Sequence, residues 1–160
     1  MSDNHHDHAH CTAELISRAE QTCAKRGTRL TEQRKDVLAS VAESHSAVGA
    51  YEIIERMAIG GSRPAPITIY RALDFLLDHD LVHKIESRNA YVACSGAHTN
   101  DQPTLLICDQ CGNVDEVIAP SINACLQNAA TEKRFSVSKT VIELSGTCNQ
   151  CAMSSKHAEN

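Results

Sequence analysis

Two cysteine pairs, Cys108-Asp-Gln-Cys111 and Cys148-Asn-Gln-Cys151, stand 36 residues apart in the C-terminal part of the chain. One Cys-x2-Cys pair alone would say little, because redox motifs share the spacing. Two pairs offer four thiolates, the number that a closed tetrahedral zinc site takes. The segment between them is too small to build a secure core by itself. A metal joining its start to its end therefore decides how it folds. Disulfides or redox thiols are the competing use of the same residues.

The remaining cysteines are Cys11, Cys23, Cys94 and Cys125, eight in all with the two pairs. The paired spacing, and a start with no basic region followed by an apolar core, favour a reducing cytoplasmic setting and a metal over a secreted disulfide framework. The chain has 160 residues, 42% hydrophobic and 22% charged, which suits one globular domain or two small ones. No run of 18 apolar residues offers a membrane span. The formal charge of −5 gives no global attraction to nucleic acid. Phosphate contacts depend on local charge, however. The most basic stretch, residues 18–35, carries Arg18, Lys25, Arg26, Arg29, Arg34 and Lys35. It is either a solvated surface or a phosphate-facing patch.

Residues 1–10, with His5, His6, His8 and His10, read as a disordered tail, which either binds metal loosely or has no metal role. Residues 12–25 read as a helix carrying Leu15, Ile16, Ala19 and Cys23 on one stripe, stopped by Gly27. Thr31 is a credible N-cap for a second helix that buries Val37, Leu38 and Val41. A third helix covers about 49–59, and a fourth runs from about residue 67 to Asp78 with Ile69, Leu73, Leu76 and Leu77 inward. Two strands follow, joined by a turn at 87–90. Helices followed by a hairpin make a winged helix-turn-helix, in which the helix before the hairpin enters a major groove. On that helix Thr68, Arg71 and Phe75 lie on a different side from Leu73 and Leu77, and Tyr70 and Arg71 are the notable exposed candidates. Arginine can bond guanine O6 and N7, and a ring can meet a thymine methyl. Partial core packing competes for Tyr70, and an acidic partner or a phosphate for Arg71. Lys84 and Arg88 on the hairpin could reach the backbone or the minor groove, and Arg29 and Arg34 of the basic stretch are further candidates for DNA contact.

Residues 95–103 form a polar connection. The second unit, 104–152, reads as strands Thr104–Cys108 and Asn113–Ile118, a helix over 120–131 with Ile122 and Leu126 inward, and a strand over Val137–Leu144. Residues 153–160 read as a frayed tail. The expected class is α+β: a winged-helix domain at 11–94, then a small α/β domain.

A second donor set straddles the boundary. With the turn at 87–90, His83 faces Cys94 across the hairpin. Directly opposed side chains stand close enough to share a metal. His98 follows, and Glu116 lies on a later strand. Together they offer two nitrogens, a sulfur and an oxygen, a set suited to tetrahedral zinc. Asp101 rivals His98 in the same loop. Two zinc ions per protomer are therefore expected. An enzyme is not: four protein ligands leave no open position, and no nucleophile–base motif accompanies them.

Several stretches together resemble the ferric uptake regulator family, and within it the zinc-responsive branch. They are Gly27-Thr-Arg-Leu-Thr-Glu-Gln-Arg34, Thr68-Ile-Tyr-Arg-Ala-Leu73, Leu81-Val-His-Lys-Ile-Glu-Ser87, Tyr91-Val-Ala-Cys94 and Ile107-Cys-Asp-Gln-Cys-Gly112. The resemblance covers about residues 12–151. It implies a homodimer of winged-helix and dimerisation domains. It also implies a structural zinc on Cys108, Cys111, Cys148 and Cys151, and a sensing site on His83, Cys94 and Glu116, with His98 the available histidine for the fourth place. The histidine run that the iron-sensing branch carries before its first cysteine pair is replaced here by residues 100–107. The implied function is a zinc-dependent repressor of zinc uptake genes, acting on palindromic double-stranded operator DNA, with no membrane partner. A regulator of the same fold sensing iron or nickel, and a zinc-buffering module that binds no DNA, are the alternatives.

Overall fold

The structure is a computed structural model, describing residues 8–43, 45–61, 63–96 and 102–157. The chain divides into two compact units between Cys94 and Ser95.

In the first unit, helix α1 spans His8–Lys25 and buries Leu15, Ala19 and Cys23. It begins inside the stretch expected to be a tail. Gly27, at φ +66°, turns the chain out of it in the left-handed region that glycine tolerates. Helix α2 (Glu32–Ala42) is capped by Thr31, whose side chain accepts from the Arg34 amide. Strand β1 (Val48–Gly49) precedes helix α3 (Ala50–Ile59). Helix α4 (Pro66–Asp78) opens on a proline, which lacks the N–H that the first turn leaves unbonded anyway. Ile69, Leu73 and Leu76 are fully buried among Val37, Leu38, Val41, Ile53 and Ile54. Strands β2 (Val82–Ile85) and β3 (Ala90–Ala93) form the wing, and β1 adds to it in the order β1-β3-β2. Two residues are too few to show alternation, so β1 left no strand signal in the sequence.

The hairpin reverses one residue earlier than expected. A 3-10 turn, Glu86–Arg88, closes through Asn89 at φ +47°. His83 therefore faces Val92, not Cys94. The Cys94 amide donates to the Leu81 carbonyl at 3.0 Å. The shift is two residues, so each side chain keeps its expected face. Cys94 becomes the diagonal neighbour of His83.

In the second unit, β4 (Thr104–Cys108) is central, antiparallel to β5 (Val114–Val117) and parallel to β6 (Ile142–Gly146). Helix α5 (Pro120–Glu132) makes the crossover between β5 and β6. The last strand was expected over Val137–Leu144. Its pairing begins at Thr104 against Ile142, so the alternation upstream meets no partner strand. Helix α6 (Asn149–His157) occupies most of the expected frayed tail; the Ala152 amide donates to the Cys148 carbonyl at its start. Helix α5 buries none of its residues: Ile122 and Leu126, expected inward, are 43% and 44% exposed. A three-stranded sheet crossed by one helix leaves that stripe without a second layer.

Candidate metal centres and nucleic-acid face

The first cysteine pair sits on the turn between β4 and β5. The Gly112 amide donates to the Cys108 carbonyl at 3.0 Å, and Gly112 takes φ +74°, closing the turn around the sulfurs. In the second pair, Cys148 lies in the short connection after β6 and Cys151 in the first turn of α6. The Asp109 amide bonds the Gly146 carbonyl at 2.8 Å, joining the two knuckles. The four Sγ atoms all lie within 4.8 Å of one another, and Cys111 and Cys148 are 3.7 Å apart. Sulfurs bound tetrahedrally at the usual zinc–sulfur distance stand roughly 3.7–3.8 Å apart. The donor set therefore fits zinc in both chemistry and spacing.

The quartet is electrostatically uneven. Backbone amides of Cys111 and Cys148 point at the Cys108 sulfur, the latter at 3.3 Å, and pull its pKa down to about 6. The neighbouring Cys148 and Cys111 side chains push Cys151 up to about 12. Cys111 is raised as well, against the pull of the Asn113 amide, with Cys108 the main opposing neighbour.

A second pair of donors lies at the open end of the wing. His83 on β2 and Cys94 just beyond β3 bring ligand atoms within 4.8 Å of each other. Cys94 is buried, and its carbonyl accepts from Arg18 Nη2 of α1. In the second unit, Glu116 on β5 is half-buried. Its carboxylate accepts from the Ser95 amide at 2.7 Å and from the Ser95 hydroxyl at 3.1 Å. Both His98 and Asp101 lie outside the described residues.

Of the expected DNA-facing side chains, Arg71 is exposed, while Thr68 and Tyr70 are half-buried, all on α4. Lys84 is ion-paired with Glu86 at 3.2 Å, and that partner holds its ammonium above the usual lysine range. Arg29 is exposed. Arg34 is held: its Cζ lies 3.5 Å from the centre of the Phe75 ring, and Nη1 donates to the Arg29 carbonyl at 2.8 Å. Neither the Arg34–Phe75 stack nor the bond from Arg18 to Cys94 left a local sequence signal, because each joins residues distant in the chain.

A winged helix carrying an exposed arginine on the helix before its hairpin, followed by an α/β unit with a four-cysteine cluster, defines a class of metal-linked DNA-binding regulators. The chain belongs to the ferric uptake regulator family, which matches residues 25–145. Members of this family are DNA-binding transcription factors, not enzymes. The zinc uptake regulation protein of Escherichia coli (strain K12) is 40% identical over 144 residues, covering 88% of this chain and 82% of that protein. A zinc uptake regulator solved in complex with zinc and DNA superposes with a TM-score of 0.86 at 36% identity, covering 91% of this chain and 97% of the other. A holo structure of XcZur gives 0.79 at 35% identity, covering 89% and 99%. Among the described residues, no helix is long and apolar enough to cross a membrane.

Proposed function

We propose that the chain is a zinc-dependent transcriptional repressor that binds operator DNA as a homodimer and controls zinc uptake genes. The observation that carries this reading is the His83–Cys94 donor pair, set apart from the four-cysteine cluster at the end of the DNA-reading unit. The likeness to a zinc uptake regulator solved with zinc and DNA supports it.

When bound, zinc supplies a tetrahedral crosslink among sulfur, nitrogen and oxygen donors. Cys108, Cys111, Cys148 and Cys151 would hold one ion and keep the second unit folded. His83, Cys94 and Glu116 would hold the other, with His98 or Asp101 completing the set. Such a set draws ligands from both units, so loading it would restrict how the winged helices are presented. Operator binding is then a population shift, and operator DNA tightens zinc binding in return. Arg71 and Tyr70 would read bases, and Thr68, Lys84, Arg29 and Arg34 would meet the backbone.

A thiolate at the second site favours zinc over Fe(II) or Mn(II). The test is operator binding under buffered zinc, iron(II), manganese(II) and nickel(II), each at matched free concentration. Zinc should promote sequence-specific binding at the lowest free concentration, and Arg71→Ala should lose the sequence preference. Stronger promotion by nickel or iron would assign the chain to a regulator of another metal. The absence of any sequence-specific complex would leave a zinc-binding module.

A further inference from the structure

Three planar side chains from two helices form a column on the first unit. Arg34 stands on the first turn of α2, and Phe75 and His79 lie at the end of α4. The Arg34 guanidinium carbon is 3.5 Å from the Phe75 ring centre. The His79 ring centre is 3.9 Å from the same point, tilted by 27°. Two groups so near one centroid exclude each other from a single face, so the phenyl ring is sandwiched between them. The imidazole is itself fixed. It is buried, Nδ1 pairs with the Phe75 carbonyl at 2.8 Å, and Nε2 pairs with the Thr28 hydroxyl at 2.8 Å. A carbonyl can only accept, so Nδ1 carries a proton.

The consequence falls on Arg34. A guanidinium has five N–H donors in one plane. Phe75 covers a face of that plane, and one donor is spent on the Arg29 carbonyl at 2.8 Å. Arg34 is only half-buried, so part of its edge meets solvent. A fork held this way is set for a planar, two-point acceptor, and a phosphate oxygen pair is one.

We propose that Phe75 is a positioning residue for DNA binding: its ring, backed by His79, holds the Arg34 fork edge-outward to grip one backbone phosphate. This rests on the DNA-binding reading above. The ring contributes by limiting the rotamers of a side chain that would otherwise lose much freedom on binding.

The test uses zinc-loaded full-length protein and a duplex that the wild type selects from a random-sequence pool, with affinity measured over a range of salt. Arg34→Ala should weaken binding and flatten the log–log salt slope by roughly 0.9 per protomer bound. Phe75→Leu, which keeps apolar bulk without an aromatic face, should weaken binding about threefold to tenfold. Phe75→Tyr should restore it. In the Arg34→Ala background, Phe75→Leu should change nothing further. Arg34→Lys keeps the charge without the planar fork, and should lose affinity even if Phe75→Leu proves unstable. The proposal is overturned if Phe75→Leu or Arg34→Lys binds like the wild type. Independent, multiplying losses for Arg34→Ala and Phe75→Leu overturn it too. A wild type that selects no sequence removes the DNA-binding reading before any variant is compared, so the two failures are distinct.

Discussion

At the scale of single residues, the four-cysteine cluster has its chemistry built in before any metal arrives. Amides of Cys111 and Cys148 hold the Cys108 sulfur as a ready thiolate, with a pKa near 6. Cys111 and Cys151 sit above the usual thiol range, so each must lose a proton to bind metal. Only thiolates ligate, so binding strengthens as pH rises and weakens as acid reprotonates the sulfurs. Zinc added to metal-free protein near neutral pH should therefore release at least about two protons per ion. An indicator dye in weak buffer reads this, and proton-neutral binding would contradict it. Gly112 offers a second check. At φ +74° an alanine there should cost about 1–2 kcal/mol, read by denaturant unfolding. The cluster was legible in the sequence because each half is a contact over four residues, and the spacing names the chemistry. The fixing of Arg34 by Phe75 was not. It depends on where the end of α4 meets the start of α2, and no local pattern carries that.

At the scale of elements, periodicity revealed the helices well, because Val37, Leu38 and Val41, and Ile69, Leu73 and Leu76, recur at helical spacing and are all buried. Leu73→Ala should destabilise the first unit by about 2–5 kcal/mol, seen as a lower urea midpoint with an unchanged slope. The wing was legible in kind but not in register. Its turn type depends on Asn89 adopting a left-handed conformation, and a two-residue difference in pairing leaves the alternation of faces identical. The alternation therefore sets His83 and Cys94 on one face without fixing which residue stands directly opposite His83, which is Val92. Helix α1 adds a support that sequence could not show, since Arg18 donates to the carbonyl of Cys94. Arg18→Ala should preserve the fold and lower zinc affinity at the site proposed around His83 and Cys94 by about tenfold. Isothermal titration with the four-cysteine cluster already filled would read this, and unchanged affinity would mean that Arg18 does not support the site.

At the scale of the whole molecule, the two units bury their apolar residues very differently. The first has a continuous core, whereas the second leaves Ile122, Leu126, Phe135, Val141 and Leu144 between 43% and 67% exposed. Helical periodicity marked the stripe on α5 but could not say whether its cover comes from the same chain or from another. A homodimer, as proposed, would provide that cover, and Leu126→Glu should shift the protein toward monomer in sedimentation velocity. An unchanged dimer would place the contact elsewhere. In the proposed mechanism zinc is sensed near the wing and merely held by the four cysteines. The most direct test is operator affinity at fixed salt across buffered free zinc for wild type, Cys94→Ser and Cys108→Ser. Cys94→Ser should remain a folded dimer but need far more zinc to bind the operator, while Cys108→Ser should lose folding or dimerisation at every zinc level. A Cys94→Ser protein with the zinc dependence of the wild type, or a stable Cys108→Ser dimer that still responds to zinc, would contradict it.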